Sequence, residues 1–141
     1  MIGFGVACCS PPVDALPMAI LRHETSDGGA HFDLLLADAA AVEDDARIVP
    51  TWRCARDPFA LARGERVRVE SIAPHRGLYL RLEGSRTLDG DRGRVTSVHR
   101  GWHTAHGAWR HLQDEHGARV TIRLEGDTMI AGDDAAQVKA S

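Results

Sequence analysis

Two histidines and an aspartate carry the strongest chemical signal in the chain. In the stretch LRHETSDGGAHFDLLLAD, His23 ends one apolar burst, His31 opens the next, and Asp33 follows two positions on. Successive side chains on a strand alternate between faces, so His31, Asp33 and Leu35 share one face and Phe32, Leu34 and Leu36 the other. An imidazole and a carboxylate then stand side by side. If the intervening TSDGG turns the chain back as a hairpin, His23 lies across from them and completes a set of two nitrogens and one oxygen. Such a set suits a divalent transition metal and leaves positions open to water and substrate. Spacing alone also allows a surface histidine and carboxylate with no ligand between them.

The elements that must hold these residues read as strands. Short apolar bursts separated by Gly, Asp and Pro run along the chain: MAILRH, HFDLLLA, RIVPTWRC, RVRVESI, GLYLRLEG, GRVTSVHR, ARVTIRLEG and DTMIAG. Val67 and Val69, with Ile72 nearly in step, and then Val120, Ile122 and Leu124, keep the two-residue period of a half-buried strand. Glu125-Gly126-Asp127 reads as a hairpin turn between two such runs. Only residues 37 to 46 and 107 to 116 have the composition for a helical turn. Many short strands with Gly-rich turns predict a mainly all-β chain, a small closed antiparallel barrel with short helical segments. Pro11, Pro12 and Pro17 mark residues 1 to 17 as an extended arm; the barrel is expected over 18 to 135, with a tail over 136 to 141.

A chain of 141 residues has room for one ordinary domain. Its net charge of -3 excludes a broad, sequence-independent grip on nucleic-acid phosphates, so any such contact should be local, as at a strand end. Lys139 is the one lysine, and arginine supplies the remaining basic residues. Cys8, Cys9 and Cys54 imply no disulfide framework. The opening MIGFGVACCS lacks the positive residue of a secretory signal and is too short to span a membrane, which makes the cytoplasm the expected location.

Further along stand Thr51-Trp52-Arg53-Cys54-Ala55-Arg56-Asp57-Pro58, then His75 with Tyr79, then Leu82-Glu83-Gly84. Together with His23 and His31-Phe32-Asp33, in this order from about Leu21 to Gly101, the chain resembles the 3′-phosphoesterase domain of bacterial DNA ligase D and its stand-alone relatives. The resemblance implies a β-barrel that holds manganese or a similar divalent ion through His23, His31 and Asp33. It implies that His75 and Tyr79 contact the scissile phosphate, and that Arg56 stands for a lysine near the same pocket. The activity it implies is removal of a 3′-terminal ribonucleoside and of a 3′-phosphate, in DNA repair. Its partners would be the 3′ end of a DNA or RNA-DNA primer strand and a separately encoded ligase or polymerase. Trp52, inside an apolar burst, reads as core rather than as a base-stacking platform.

Departures from the family pattern frame the alternative, a catalytically weakened metal-binding barrel that binds strand ends or a ligase partner. The loop between His23 and His31 is longer than the family's by about two residues, which a surface turn tolerates. The family's arginine two positions after the aspartate is Leu35 here, which removes a bidentate phosphate clamp. If the run from His75 continues as a strand, Gly77, Tyr79 and Arg81 share its face, and Arg81 is expected to replace the clamp. His99, His103, His106, His111 and His116 lack supporting acids at ligand spacing and read as a solvated loop or helix, anchored by Trp102 and Trp109.

Overall fold

Short apolar bursts bounded by turn residues become strands wherever a partner strand can pair their backbone groups. The computed structural model describes residues 11 to 132. Among them, in chain order, are β1 (Leu16–Glu24), β2 (Ala30–Leu36), β3 (Arg47–Cys54), β4 (Arg66–Arg76), β5 (Ser85–Thr87), β6 (Arg94–His106), β7 (Trp109–Asp114), β8 (Arg119–Glu125) and β9 (Thr128–Ala131). All pairings are antiparallel, in the order β1-β2-β3-β4-β9-β8-β7-β6, and β6 pairs back onto β1. The result is a closed eight-stranded barrel, as expected, and closure leaves no free edge among these eight strands. The short β5 is an extra strand beside the first residues of β6. Glu125 pairs with Thr128 across the expected β8–β9 hairpin.

Two sequence expectations are corrected. Residues 37 to 46 form an irregular loop, because Ala37 and Val42 are buried and Ala39 and Ala46 pack beside them; tertiary burial outweighs the helix preference of the alanines. Residues 107 to 116 hold β7, whose Leu112 and Asp114 point inward, so the histidine-rich segment is barrel wall and not a solvated loop or helix. Trp109 still anchors it, with its ring against Gly132 and under the Arg123 guanidinium. Among the described residues, helical structure is confined to two 3-10 turns, Pro58–Ala60 and Gly77–Leu80. The barrel begins slightly before Met18, since Leu16 and Pro17 already pair with His103 and Trp102. The rest of the expected N-terminal arm before Pro11, the domain end at 135 and the tail lie outside the described residues.

Both faces of β1 and β2 are covered, which is why MAIL and LLL read as continuous apolar runs. Met18, Ile20, Leu34 and Leu36 face the barrel interior with Cys54, Val69, Leu112, Ile122 and Met129, and Trp52 packs against this core as expected. Burial pushes the Cys54 thiol up to about 12, leaving it inert. On the outer face Ala19, Leu21, Leu35 and Val49 make a second core under Val42, Tyr79 and Leu80. Gly77 allows that cover to close, because a Cβ there would lie 2.3 Å from the Glu43 carbonyl oxygen.

A polar plug packs against the interior core through Phe59. A bulge at Val98 shifts the β6 register between Ile20–His99 and Leu21–Ser97, which turns His99 inward with Ile20. His99 Nδ1 lies 2.9 Å from Asp114 and Nε2 2.9 Å from Asp57, with the ring stacked on Phe59. Burial pulls its pKa down, but the two carboxylate hydrogen bonds and their charges outweigh this and hold it above the usual imidazole range. A raised folded-state pKa stabilises the fold fully below the unfolded value of about 6.5, and that stability is lost as pH climbs through the raised value. In urea unfolding at pH 6, His99→Gln should therefore be less stable than the parent by roughly 1.5–3 kcal/mol, the range for hydrogen bonds to charged groups. The gap should narrow toward pH 9, and a gap independent of pH would contradict a charged plug.

Candidate metal centre

The β1–β2 hairpin forms as the TSDGG segment predicts. Asp27 accepts from the Thr25 hydroxyl and the Gly29 N–H, and the Thr25 N–H reaches the Gly29 carbonyl. His23 then stands directly opposite His31, and Leu21 opposite Asp33, on the outward face of the barrel wall. His23 Nδ1 lies 3.2 Å from His31 Nε2, and His31 Nε2 lies 3.3 Å from Asp33 Oδ1. Two ligand atoms about 2.1 Å from one ion and roughly 90–109° apart stand ~3.0–3.4 Å from each other, so both separations fit a shared ion.

The proton arrangement fits as well. His23 Nε2 lies 2.7 Å from the Arg92 carbonyl, which only accepts, so Nε2 carries the hydrogen and neutral His23 offers its Nδ1 lone pair toward His31. Gly93 sets that carbonyl: its φ is +92°, and a Cβ would lie 1.9 Å from the Glu24 carbonyl oxygen. Burial lowers the His31 pKa; the Asp33 charge opposes this, while Arg53, His23 and His75 reinforce it, which favours the neutral ligating form. Asp33 is only 2% exposed, and its Oδ1 has no hydrogen-bond partner among the described residues. A buried carboxylate oxygen left unpaired is costly, and a cation beside it removes the cost. The donor set thus fits one divalent ion.

His75 reaches the site by a distortion of β4. Thr51 pairs with Ile72, but Val49 pairs with His75, so an extra residue at the Ala73-Pro74 step bends the strand end over the outer face. His75 Nε2 consequently lies 3.3 Å from Asp33 Oδ2, the oxygen turned away from His31. Tyr79 stands edge-on to His75, with ring centroids 5.8 Å apart. It is held by the 3-10 turn Gly77–Leu80 rather than by a strand.

The same turn corrects the expectation for Arg81. Counting by twos fails beyond Arg76, and Arg81 instead donates to the Asp44 carboxylate and the Val42 carbonyl, away from His75 and Tyr79. Arg56 is corrected too: it pairs with Glu65 and donates to the Ala60 carbonyl, outside the lining of the cleft. Leu35 is fully buried in the outer core, so nothing charged rises from that position.

Other arginines take their place. A cleft of about 430 Å³ opens over His23, Asp33, His75 and Tyr79, and four arginines line it: Arg47, Arg53, Arg76 and Arg92. The aspartates in its lining are Asp33 and Asp91. Sequence reasoning missed these arginines. Arg53 was within reach of it, since Val49, Thr51 and Arg53 alternate on RIVPTWRC and Arg53 faces Asp33 across β2 and β3. Comparison of the chain with protein-family models, with curated proteins and with solved structures finds no match.

Protein purified without chelator should carry one manganese-type ion per chain by elemental analysis, and His31→Ala and Asp33→Ala should each lose most of it. Equal metal content in all three proteins would sink the assignment.

Proposed function

We propose that the cleft is the active site of a metal-dependent phosphoesterase that processes the 3′ ends of nucleic-acid strands, removing a 3′-ribonucleoside and a 3′-phosphate. The observation that carries this reading is a buried carboxylate with an orphaned oxygen among three imidazoles, ringed by four arginines in a protein of net charge -3. Positive charge concentrated in one cleft of an acidic protein favours a small phosphorylated end over a long backbone track. The order of His23, His31, Asp33, His75 and Tyr79, which resembles that of the ligase D phosphoesterase module, supports the substrate class.

A divalent ion, manganese in this reading, supplies Lewis acidity toward a phosphoryl oxygen and acidifies a water. The chain's own residues supply the rest. His23, His31 and Asp33 hold the ion. His75 faces acceptors on both sides, the Ala73 carbonyl at Nδ1 and Asp33 at Nε2, so its protonated form carries a hydrogen on Nε2 that can pass to a phosphoryl or leaving oxygen. Tyr79 adds a neutral hydroxyl beside it. The preparation of a strand end for a ligase or polymerase follows from this chemistry.

A second reading, in which the barrel binds strand ends or a ligase partner without cutting, is favoured by Leu35, which leaves β2 without a phosphate clamp. A primer-template ending in a 3′-phosphate, incubated with manganese, separates the two. Conversion to a 3′-hydroxyl supports the phosphoesterase, binding without conversion supports the second reading, and neither result is compatible with both. In the active protein His75→Ala should cost about a hundredfold or more in rate, and Tyr79→Phe clearly less. A His75→Ala protein as fast as its parent would remove His75 from the site.

A further inference from the structure

Arg47, Val49, Thr51 and Arg53 follow one another at every second residue of β3. The middle two are buried, whereas the arginines at either end are exposed and line the cleft. Neither guanidinium has a hydrogen-bond or ion-pair partner among the described residues. Arg53 stands opposite Asp33, but the carboxylate turns its oxygens to His31 and His75. The neighbour on its other side, Glu70, makes no ion pair with it.

Arg47 stands opposite Arg76 across β3 and β4. Like charges directly opposite on a sheet are destabilising unless an anion lies between them. The ion pair of Arg76 is a long 3.9 Å contact to Asp45, whose side chain is 96% exposed, and its guanidinium otherwise lies over the uncharged Tyr79 ring, 5.7 Å from the centroid. Two sets of guanidinium charge, Arg53 unpaired and Arg47 with Arg76 only weakly offset by Asp45, therefore flank the metal residues at the two ends of the outward face of β3. Arg47 and Arg53 stand six positions apart, roughly 20 Å along the backbone at about 3.3 Å per residue, a span that two phosphates of one strand match better than a single phosphate does.

We infer that Arg53 holds the reacting 3′-terminal phosphate, while Arg47 with Arg76 holds a phosphate farther along the same strand, so that the substrate is an oligonucleotide rather than a free nucleotide. The inference rests on the phosphoesterase reading of the cleft. It assigns Arg53 to the reacting group and Arg47 to strand length. The planar guanidinium fork suits both phosphates, and each contact releases about one condensed counterion.

The test is equilibrium binding of fluorescein-labelled DNA, measured by anisotropy with manganese present, in a His75→Ala background that suppresses turnover. The probes are a dinucleotide and an octanucleotide ending in a 3′-phosphate and an octanucleotide ending in a 3′-hydroxyl. Arg53→Ala should weaken both phosphorylated probes by a similar factor, roughly ten- to a hundredfold, and the hydroxyl probe much less. Arg47→Ala should weaken the phosphorylated octanucleotide about tenfold more than the dinucleotide and reduce its salt slope by about one. Phosphorylated probes that bind the background protein but respond equally to both substitutions, or to neither, would overturn the inference and leave the phosphoesterase reading standing. Failure of the folded background protein to bind any phosphorylated probe would instead remove that reading, and the inference with it.

Discussion

The structure turns on one buried carboxylate. Asp33 is almost fully covered, yet it stands in a strand whose neighbouring outward residue, Leu35, belongs to a dry apolar layer. Ionised and alone, such a group is expensive to bury. His75 takes up one oxygen and His31 approaches the other without hydrogen-bonding it, so the remaining demand is for positive charge. His23 points its free nitrogen at the same place because a backbone carbonyl has claimed the other. The arrangement is one of two imidazole nitrogens and a carboxylate oxygen converging on one point.

Holding that point requires a wall covered on both sides. The closed barrel fixes β1, β2 and β3 by pairing and by a core that draws on nearly every strand. Alone, this would leave the outer face of β1–β3 wet. The loop over 37 to 46 and the turn after β4 cover it, and they are joined through Gly77 to the Ala46 carbonyl, Leu78 to the Asp44 carbonyl, and Arg81 to Asp44. Arg81 thus has a task, which is to hold the cover that presents Tyr79. The Val98 bulge has a comparable effect on β6: Val95 stays beside the cleft while His99 turns into the interior as a plug.

Strand identity and the His23, His31, Asp33 juxtaposition were legible because they depend on alternation and a tight hairpin, both local. Barrel closure was legible from the number of short strands. The site's far side was not. His75 and Tyr79 were assigned by resemblance, and the geometry that brings His75 to Asp33 depends on an irregularity at Pro74 that alternation cannot register. The Arg81 expectation failed at the same spot, where strand gives way to a 3-10 turn. Helix propensity misled at 37 to 46, since alanine fits a flat apolar cover as well as a helix, and at 107 to 116 long-range pairing with β6 and β8 decided the outcome. Arg47 and Arg76 became partners only through pairing across a turn of more than ten residues, which no short-range pattern reveals.

The central claim is that a divalent ion belongs at the point where His23 Nδ1, His31 Nε2 and Asp33 Oδ1 converge. Crystals grown with manganese, measured just above the manganese absorption edge, test it most directly. The account predicts one strong anomalous peak within about 2.0–2.3 Å of all three atoms, with Asp33 Oδ2 still turned toward His75. A map with no peak there, or with its dominant peak among the histidines of β6 and β7, would contradict it.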